Sequence, residues 1–278
     1  MKKLTRVLSG VLAGLMVLGL AACGGTSAAP AATTAAPATT AAAPAEDTTA
    51  AAALDADVQA IVDRGVLRVG VKNAVLGFGY QDPITGEYSG MEIDLAKALA
   101  AQLGVDVEFT TVTAATRTEL LDSGDIDCVL ATFTITEERK QSWDFTTPYY
   151  TDHVTVLVED ASGIKTLADL KDKLVGVSSG STSARALTAA MIDAGVIDGA
   201  GFDKETFDAA TWKEGISFQQ FDDYPGISTA LAAGQVDAFC VDKSILAVYK
   251  TEGRSYIADE FAPQEYGIAT KKDSGFST

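Results

Sequence analysis

Positive charge, histidine and cysteine are all scarce in this chain of 278 residues, which has 21 Lys and Arg against 38 Asp and Glu, one histidine and three cysteines. The resulting net charge of −17 excludes a nucleic-acid binder, because neutralising phosphates requires a surplus of cations on one face. The single histidine, His153, has no metal-ligand spacing to other candidate ligands, and no nucleophile motif is present. The sequence therefore points to no metal, no cofactor and no catalytic residue. Cys128 and Cys240 fall in apolar segments of opposite halves and read as buried thiols, not as a disulfide. Long apolar runs are missing too: residues 7–20 fall short of the roughly 20 that a membrane-spanning helix needs. A hydrophobic fraction of 47% nonetheless excludes a wholly disordered chain.

That composition is an average over unlike parts. Lys2, Lys3 and Arg6 precede the apolar run and the small residues Ala21 and Ala22, which is the plan of a secretory signal. Leu20-Ala21-Ala22-Cys23 resembles the lipobox of bacterial lipoproteins, which implies a signal peptide over 1–22 and lipidation of Cys23. Each buried methylene of an acyl chain contributes about 0.8 kcal/mol, so two or three chains would hold the protein on a bilayer. Residues 24–53 contain 15 Ala, 7 Thr and 3 Pro and almost nothing to bury, so 23–53 is expected to be a lipidated, disordered tether. Prolines 30, 37 and 44 interrupt any alanine helix there.

The remaining 225 residues carry −18. Short β-branched runs alternate with helical patterns at 66–71, 93–103, 105–112, 118–122 and 126–130, which is βαβαβ order. Such alternation implies mostly parallel sheets with ligands beyond the carboxyl ends of the strands. An internal near-repeat sharpens this. Val69-Gly70-Val71-Lys72 recurs as Val175-Gly176-Val177-Ser178, and Leu121-x-x-Gly124-x-Ile126-Asp127 recurs as Leu231-x-x-Gly234-x-Val236-Asp237. Two lobes of like topology are expected from it. Thr132 and Asp242 stand at matching distances after Gly124 and Gly234, at the polar ends of apolar strands, and are expected to face one cleft.

Tyr88-Ser89-Gly90-Met91-Glu92-Ile93-Asp94-Leu95, Ala131-Thr132-Phe133-Thr134-Ile135-Thr136-Glu137-Glu138-Arg139 and Asp144-Phe145-Thr146-Thr147-Pro148-Tyr149-Tyr150 resemble the extracellular solute-binding proteins of polar amino acid ABC importers. Leu167-Ala168-Asp169-Leu170, Gly180-Ser181-Thr182-Ser183 and Tyr266-Gly267-Ile268-Ala269 extend the resemblance. It implies an α/β fold of the type II periplasmic-binding-protein kind: two lobes joined by two crossing strands, closing over one amino acid. Lobe 1 would comprise 55–150 plus 266–278, and lobe 2 would comprise 154–264. Members usually continue further past the Tyr-Gly-Ile-Ala strand, so lobe 1 is expected to lack helices there and to expose apolar surface.

The same resemblance implies the site. Arg139 would grip the α-carboxylate bidentately, aided by N–H groups around Thr134 and Thr182 and by Ser179 of the same loop. Asp242 would accept the α-ammonium, with the Thr132 carbonyl and the Thr134 hydroxyl. Lys72 stands where relatives taking glutamine or basic ligands often carry an acid, and Arg117 resembles an arginine of the glutamate/aspartate-binding branch, as more weakly does Arg185. Val75 and Ala114 stand where relatives clamp a flat or long side chain between aromatic rings. Phe78, Tyr80 and Phe133 could serve as pocket lining or as core. These features imply an acidic amino acid, glutamate or aspartate, because an uncharged side chain would leave a desolvated cation unpartnered. Glutamine and cystine remain alternatives, and a solute-binding-like dehydratase is the enzyme alternative. The partners implied are the amino acid, a permease with its ATPase, and a membrane reached through the lipid anchor outside the cytoplasm; a monomer is expected.

Overall fold

A computed structural model of the chain describes residues 54–277; the expected signal peptide, Cys23 and the tether lie outside the described residues. The first half runs α1 (Ala56–Arg64), β1 (Val66–Val71), β2 (Ala74–Val75), β3 (Gly79–Gln81), β4 (Tyr88–Ser89), α2 (Met91–Leu103), β5 (Asp106–Thr111), α3 (Arg117–Ser123) and β6 (Cys128–Leu130). It continues through α4 (Arg139–Ser142) and β7 (Trp143–Phe145) into the long strand β8 (Tyr150–Glu159). The second half runs β9 (Leu174–Ser178), α5 (Ser183–Asp193), β10 (Ser217–Phe221), α6 (Tyr224–Ala232) and β11 (Ala238–Asp242). It closes with α7 (Lys243–Leu246), β12 (Arg254–Tyr256), β13 (Phe261–Tyr266) and β14 (Ala269–Lys271).

Two sheets result. One has the order β5-β1-β6-β14-β7, the other β10-β9-β11-β8-β12 with β13 also on β8, and β2-β3-β4 form a small separate meander. In the first, β1 is parallel to β5 and β6; in the second, β9 is parallel to β10 and β11. The near-repeat is thus a repeat of topology, with the Val-Gly-Val strand flanked by two parallel neighbours in both. Its aspartates serve the scaffold: Asp127 accepts from the Arg68 N–H at 2.8 Å and Asp237 from the Leu174 N–H at 2.8 Å, tying each loop to its central strand. Gly124 and Gly234 have φ of 82° and 65°, the left-handed region where a Cβ is costly, and they end α3 and α6.

Strands β8 and β13 pair antiparallel from Val154 opposite Phe261 to Tyr150 opposite Tyr266, and their far ends reach the first sheet through β7 and β14. They are the two crossing strands that join the lobes. Each lobe buries its own apolar residues: Leu67, Val69 and Ile93 on one face of the first sheet, Val175, Val177 and Leu187 on one face of the second. Two stretches depart from simple alternation. The β2–β4 meander inserts after β1, and residues 194–216 form neither α-helix nor strand. The latter fold on their own aromatics: Phe202 meets Phe207 and Trp212 edge to face, Phe207 is tilted on Trp212, and Phe207 also packs against Phe218. On lobe 1, Leu54, Leu76, Ile84 and Met91 are exposed, and Trp143 and Phe145 on the edge strand are half-buried.

Candidate functional site

The ends of the central strands carry the chemistry. Lys72, the residue after β1, is only 5% exposed, yet its Nζ has no hydrogen-bond or ion-pair partner among the described residues and lies 5.5 Å from the Tyr224 ring centroid. Burial, together with the neighbouring Arg117, pushes its pKa well below the usual lysine range. Arg117 opens α3 and is 3% exposed. Its Nη1 donates to the carbonyls of Ala131 (2.9 Å) and Thr132 (3.3 Å), its Nε has no partner, and its guanidinium lies 3.9 Å from the Phe133 ring centroid. Burial lowers its pKa to about 10, so it stays charged at neutral pH.

Glu92, in the first turn of α2, is fully buried between these cations and the start of the cleft loop. One oxygen, Oε1, accepts from the Thr132 N–H and the Tyr149 hydroxyl, both at 2.6 Å, while Oε2 has no partner. Burial raises the Glu92 pKa, opposed by those two hydrogen bonds and by the charges of Lys72 and Arg117. Thr132 has φ of 45°, a strained conformation for a β-branched residue, and is held in it by Glu92 on its N–H and Arg117 on its carbonyl.

Arg139 is the first residue of α4 and lies 4.6 Å from the same Phe133 centroid. Its Nη1 donates to Thr134 O at 2.7 Å in lobe 1 and its Nη2 to Gly180 O at 3.1 Å in lobe 2, so one guanidinium spans the cleft. Burial and the nearby Arg117 push its pKa down. Gly180 approaches so closely that a Cβ there would sit 2.7 Å from Ala114 O, and its φ is 72°. Asp242 ends β11, is 5% exposed and accepts from the Tyr266 hydroxyl. Burial raises its pKa to about 7, partly offset by Tyr266, with the Asp152 charge adding to the rise and Arg117 and Arg139 opposing it. Asp152 itself is held by the N–H of Ser244 at 3.0 Å. Gln264 on β13 joins the lobes at the hinge: its Oε1 accepts from Thr134 Oγ1 and Thr182 Oγ1, each at 2.8 Å. A cavity of about 490 Å³ opens beside Arg139 at the cleft mouth, with Phe133, Gly180, Thr182 and Arg185 among its walls. Arg185 pairs there with Glu138 at 2.6 Å.

Buried cations from one lobe and a buried carboxylate from the other suit a small zwitterion held between them. Residues 67–200 match the description "Bacterial extracellular solute-binding proteins, family 3". The chain is 33% identical over 233 residues to a glutamine-binding protein of Geobacillus stearothermophilus, covering 82% of this chain and 80% of that one. The chain belongs to this family of solute-binding proteins. A glutamate-binding protein of Corynebacterium efficiens is 28% identical over 79% of this chain and 72% of its own length. Among solved structures, an ancestral arginine-binding protein bound to arginine superposes with a TM-score of 0.63 at 35% identity, covering 77% of this chain and 87% of that chain. Family membership and this superposition agree with the two-lobed type II architecture.

Lys72, Arg117, Thr132, Thr134, Arg139, Thr182 and Asp242 lie around one cleft in the fold. Ser179 does not line the cavity beside Arg139, and its N–H is committed to Phe221 O at 2.9 Å. The Thr134 hydroxyl donates to Gln264, an engagement the sequence does not announce. Val75 and Ala114 are buried, and Phe133 is the ring beneath both arginines. The sequence alone does not single out Glu92, Tyr224, Gln264 and Tyr266 as site residues. A signal existed for two of them: alternation in β13 puts Gln264 and Tyr266 on one buried face. Glu92 lies beside Ile93 and Ala96 on the buried side of α2, and only the fold tells it apart from the exposed Asp94. Among the described residues, no group of three or more His, Cys, Asp or Glu could hold a metal ion, and no helix is long and apolar enough to cross a membrane.

Proposed function

We propose that this protein is the substrate-binding component of an amino acid ABC importer and that it captures an acidic amino acid, glutamate or aspartate, by lobe closure. The reading rests above all on Lys72, a buried amine with no partner beside the buried Arg117. At that end of the cleft Arg117 faces Glu92 and, from the other lobe, Asp242, whereas Lys72 lacks a bonded carboxylate; a ligand side-chain carboxylate supplies one and favours the charged amine. At the other end, Arg139 with the N–H groups near Thr134 and Thr182 receives the α-carboxylate, while Asp242 and the Thr132 carbonyl receive the α-ammonium. Ser179 borders the same loop. Arg139 hydrogen-bonds both lobes, so a ligand on it favours the closed form through contacts that the open form lacks. Closure then presents the loaded protein to the permease. The lipobox-like Leu20-Ala21-Ala22-Cys23 supports tethering of a monomer to the outer face of the membrane through Cys23.

A second reading is glutamine, favoured by the unpartnered Glu92 Oε2, which would accept from a side-chain amide, and by the glutamine-binding relative. A thermal-shift panel of the common amino acids and cystine separates these. Ligand at 100 times its Kd stabilises the fold by about 2.7 kcal/mol. The expected result is a shift with glutamate or aspartate exceeding that with any neutral amino acid at equal concentration. A shift with glutamine or cystine and none with either acid overturns the acidic reading.

A further inference from the structure

Glu92 has two oxygens in unlike states. Oε1 is committed to the scaffold, accepting the Thr132 N–H and the Tyr149 hydroxyl at 2.6 Å each and so fixing the strained turn that opens the ligand loop. Oε2 is fully buried and bonded to nothing, in a residue surrounded by the charges of Lys72 and Arg117. A buried, unbonded carboxylate oxygen is costly, and proteins seldom retain one without a donor to come. The donors within the cleft do not fill the role: Lys72 Nζ makes no hydrogen bond, and Arg117 spends Nη1 on two carbonyls.

We infer that Glu92 is a specificity-determining residue, whose Oε2 meets the ligand side chain and sets how strongly the cleft prefers a carboxylate over a carboxamide. The inference rests on the placement of the ligand side chain toward Lys72 and Arg117 proposed above. An ionised Oε2 offsets the positive charge of Arg117 and accepts an amide N–H, so it holds back selectivity for acids and makes glutamine a tolerated ligand. Glu92 does this without loosening the turn, because the other oxygen carries both structural hydrogen bonds.

Glu92→Gln tests this cleanly. Its side-chain carbonyl keeps an acceptor for Thr132 and Tyr149, while the amide nitrogen replaces Oε2 and the negative charge is lost. Calorimetric titration of the wild type and E92Q with L-glutamate and L-glutamine is expected to show the ratio Kd(Gln)/Kd(Glu) rising about tenfold or more in the variant, the effect of one buried polar mismatch. A ratio changed by less than about twofold overturns the inference. Should E92Q fail to fold, the wild type suffices: glutamine is compared with its methyl-ketone isostere, in which CH3 replaces NH2. Glutamine binding about tenfold more tightly than the ketone supports a ligand N–H to Oε2, and equal binding overturns it. Wild-type protein that binds glutamine and rejects glutamate sinks the acidic reading alone, because the ketone comparison still reports on Glu92. A wild type that binds neither sinks both.

Discussion

The two lobes share a strand order and differ in the residues just beyond each strand's carboxyl end. In both, a Val-Gly-Val strand sits between two parallel neighbours, and an aspartate from the third strand's loop accepts the N–H of the residue just before it. Beyond the strand ends the likeness stops. Lobe 1 places Lys72, Arg117 and Arg139 at the cleft with Glu92 buried among them and Glu138 at the mouth, whereas lobe 2 offers Asp242, Tyr224 and the carbonyl of Gly180. The lesson is a division of labour along each strand. The middle of the repeat is constrained by packing and pairing, and its carboxyl end is free to carry chemistry.

That division can be broken by substitution. The largest effect is expected at the strand ends. Removing Arg139 as Arg139→Ala deletes the bridge to Gly180 and, on the proposed function, the α-carboxylate contact, which should weaken glutamate binding by about 2–5 kcal/mol, or roughly thirtyfold and upward, in calorimetric titration. Retained affinity would place the ligand elsewhere.

Asp242 adds a pH signature of known sign. It must be ionised to receive an ammonium, so ligand affinity should fall as pH drops through about 7. Unliganded stability should move the other way. The folded-state pKa is raised above the ordinary 3.8, so between those values the folded form holds a proton that the unfolded form has released. Its contribution therefore stabilises the fold toward low pH and is lost as pH rises through about 7. Comparing wild type with Asp242→Asn isolates both slopes from the opposing behaviour of Lys72.

The middle of the repeat should respond in the reverse manner. Asp127→Ala and Asp237→Ala each strip a partner from a backbone N–H and should cost about 0.5–1.5 kcal/mol in urea denaturation, leaving the glutamate Kd within about twofold. Asp127 should cost more, because Arg64 and Arg68 also lose their ion pair. A binding defect from either would erase the distinction between scaffold and site. The smallest effect belongs to Glu138→Gln at the mouth, where the exposed pair with Arg185 contributes about 0–1 kcal/mol to closure and is screened by salt. A loss exceeding that would make the mouth pair part of recognition.

The βαβαβ order was legible in the sequence because short β-branched runs and helical periodicity are local signals. The helix expected from residue 93 begins at Met91, and Arg117 and Arg139 open helices as their settings suggested. The β2–β4 meander and the aromatic cluster of residues 194–216 were not legible, since their stability comes from contacts without a fixed period. Within the site, Lys72, Arg117, Arg139 and Asp242 stood out as rare cations or as a strand-end acid. Glu92 did not, being one of many acids in a chain with 38.

By itself, then, the sequence determined the alternation, the two-fold repeat and the identity of the scarce cations, because each is written in residues a few positions apart. Only the tertiary structure decided that Lys72 is buried without a partner, that Arg139 reaches carbonyls in both lobes, that Gln264 ties Thr134 to Thr182, and that Glu92 turns inward with one oxygen unspent. Burial and pairing of a charge depend on residues far away in the chain. A charge that would be a solvated ornament on the surface becomes, once desolvated, a demand for a partner.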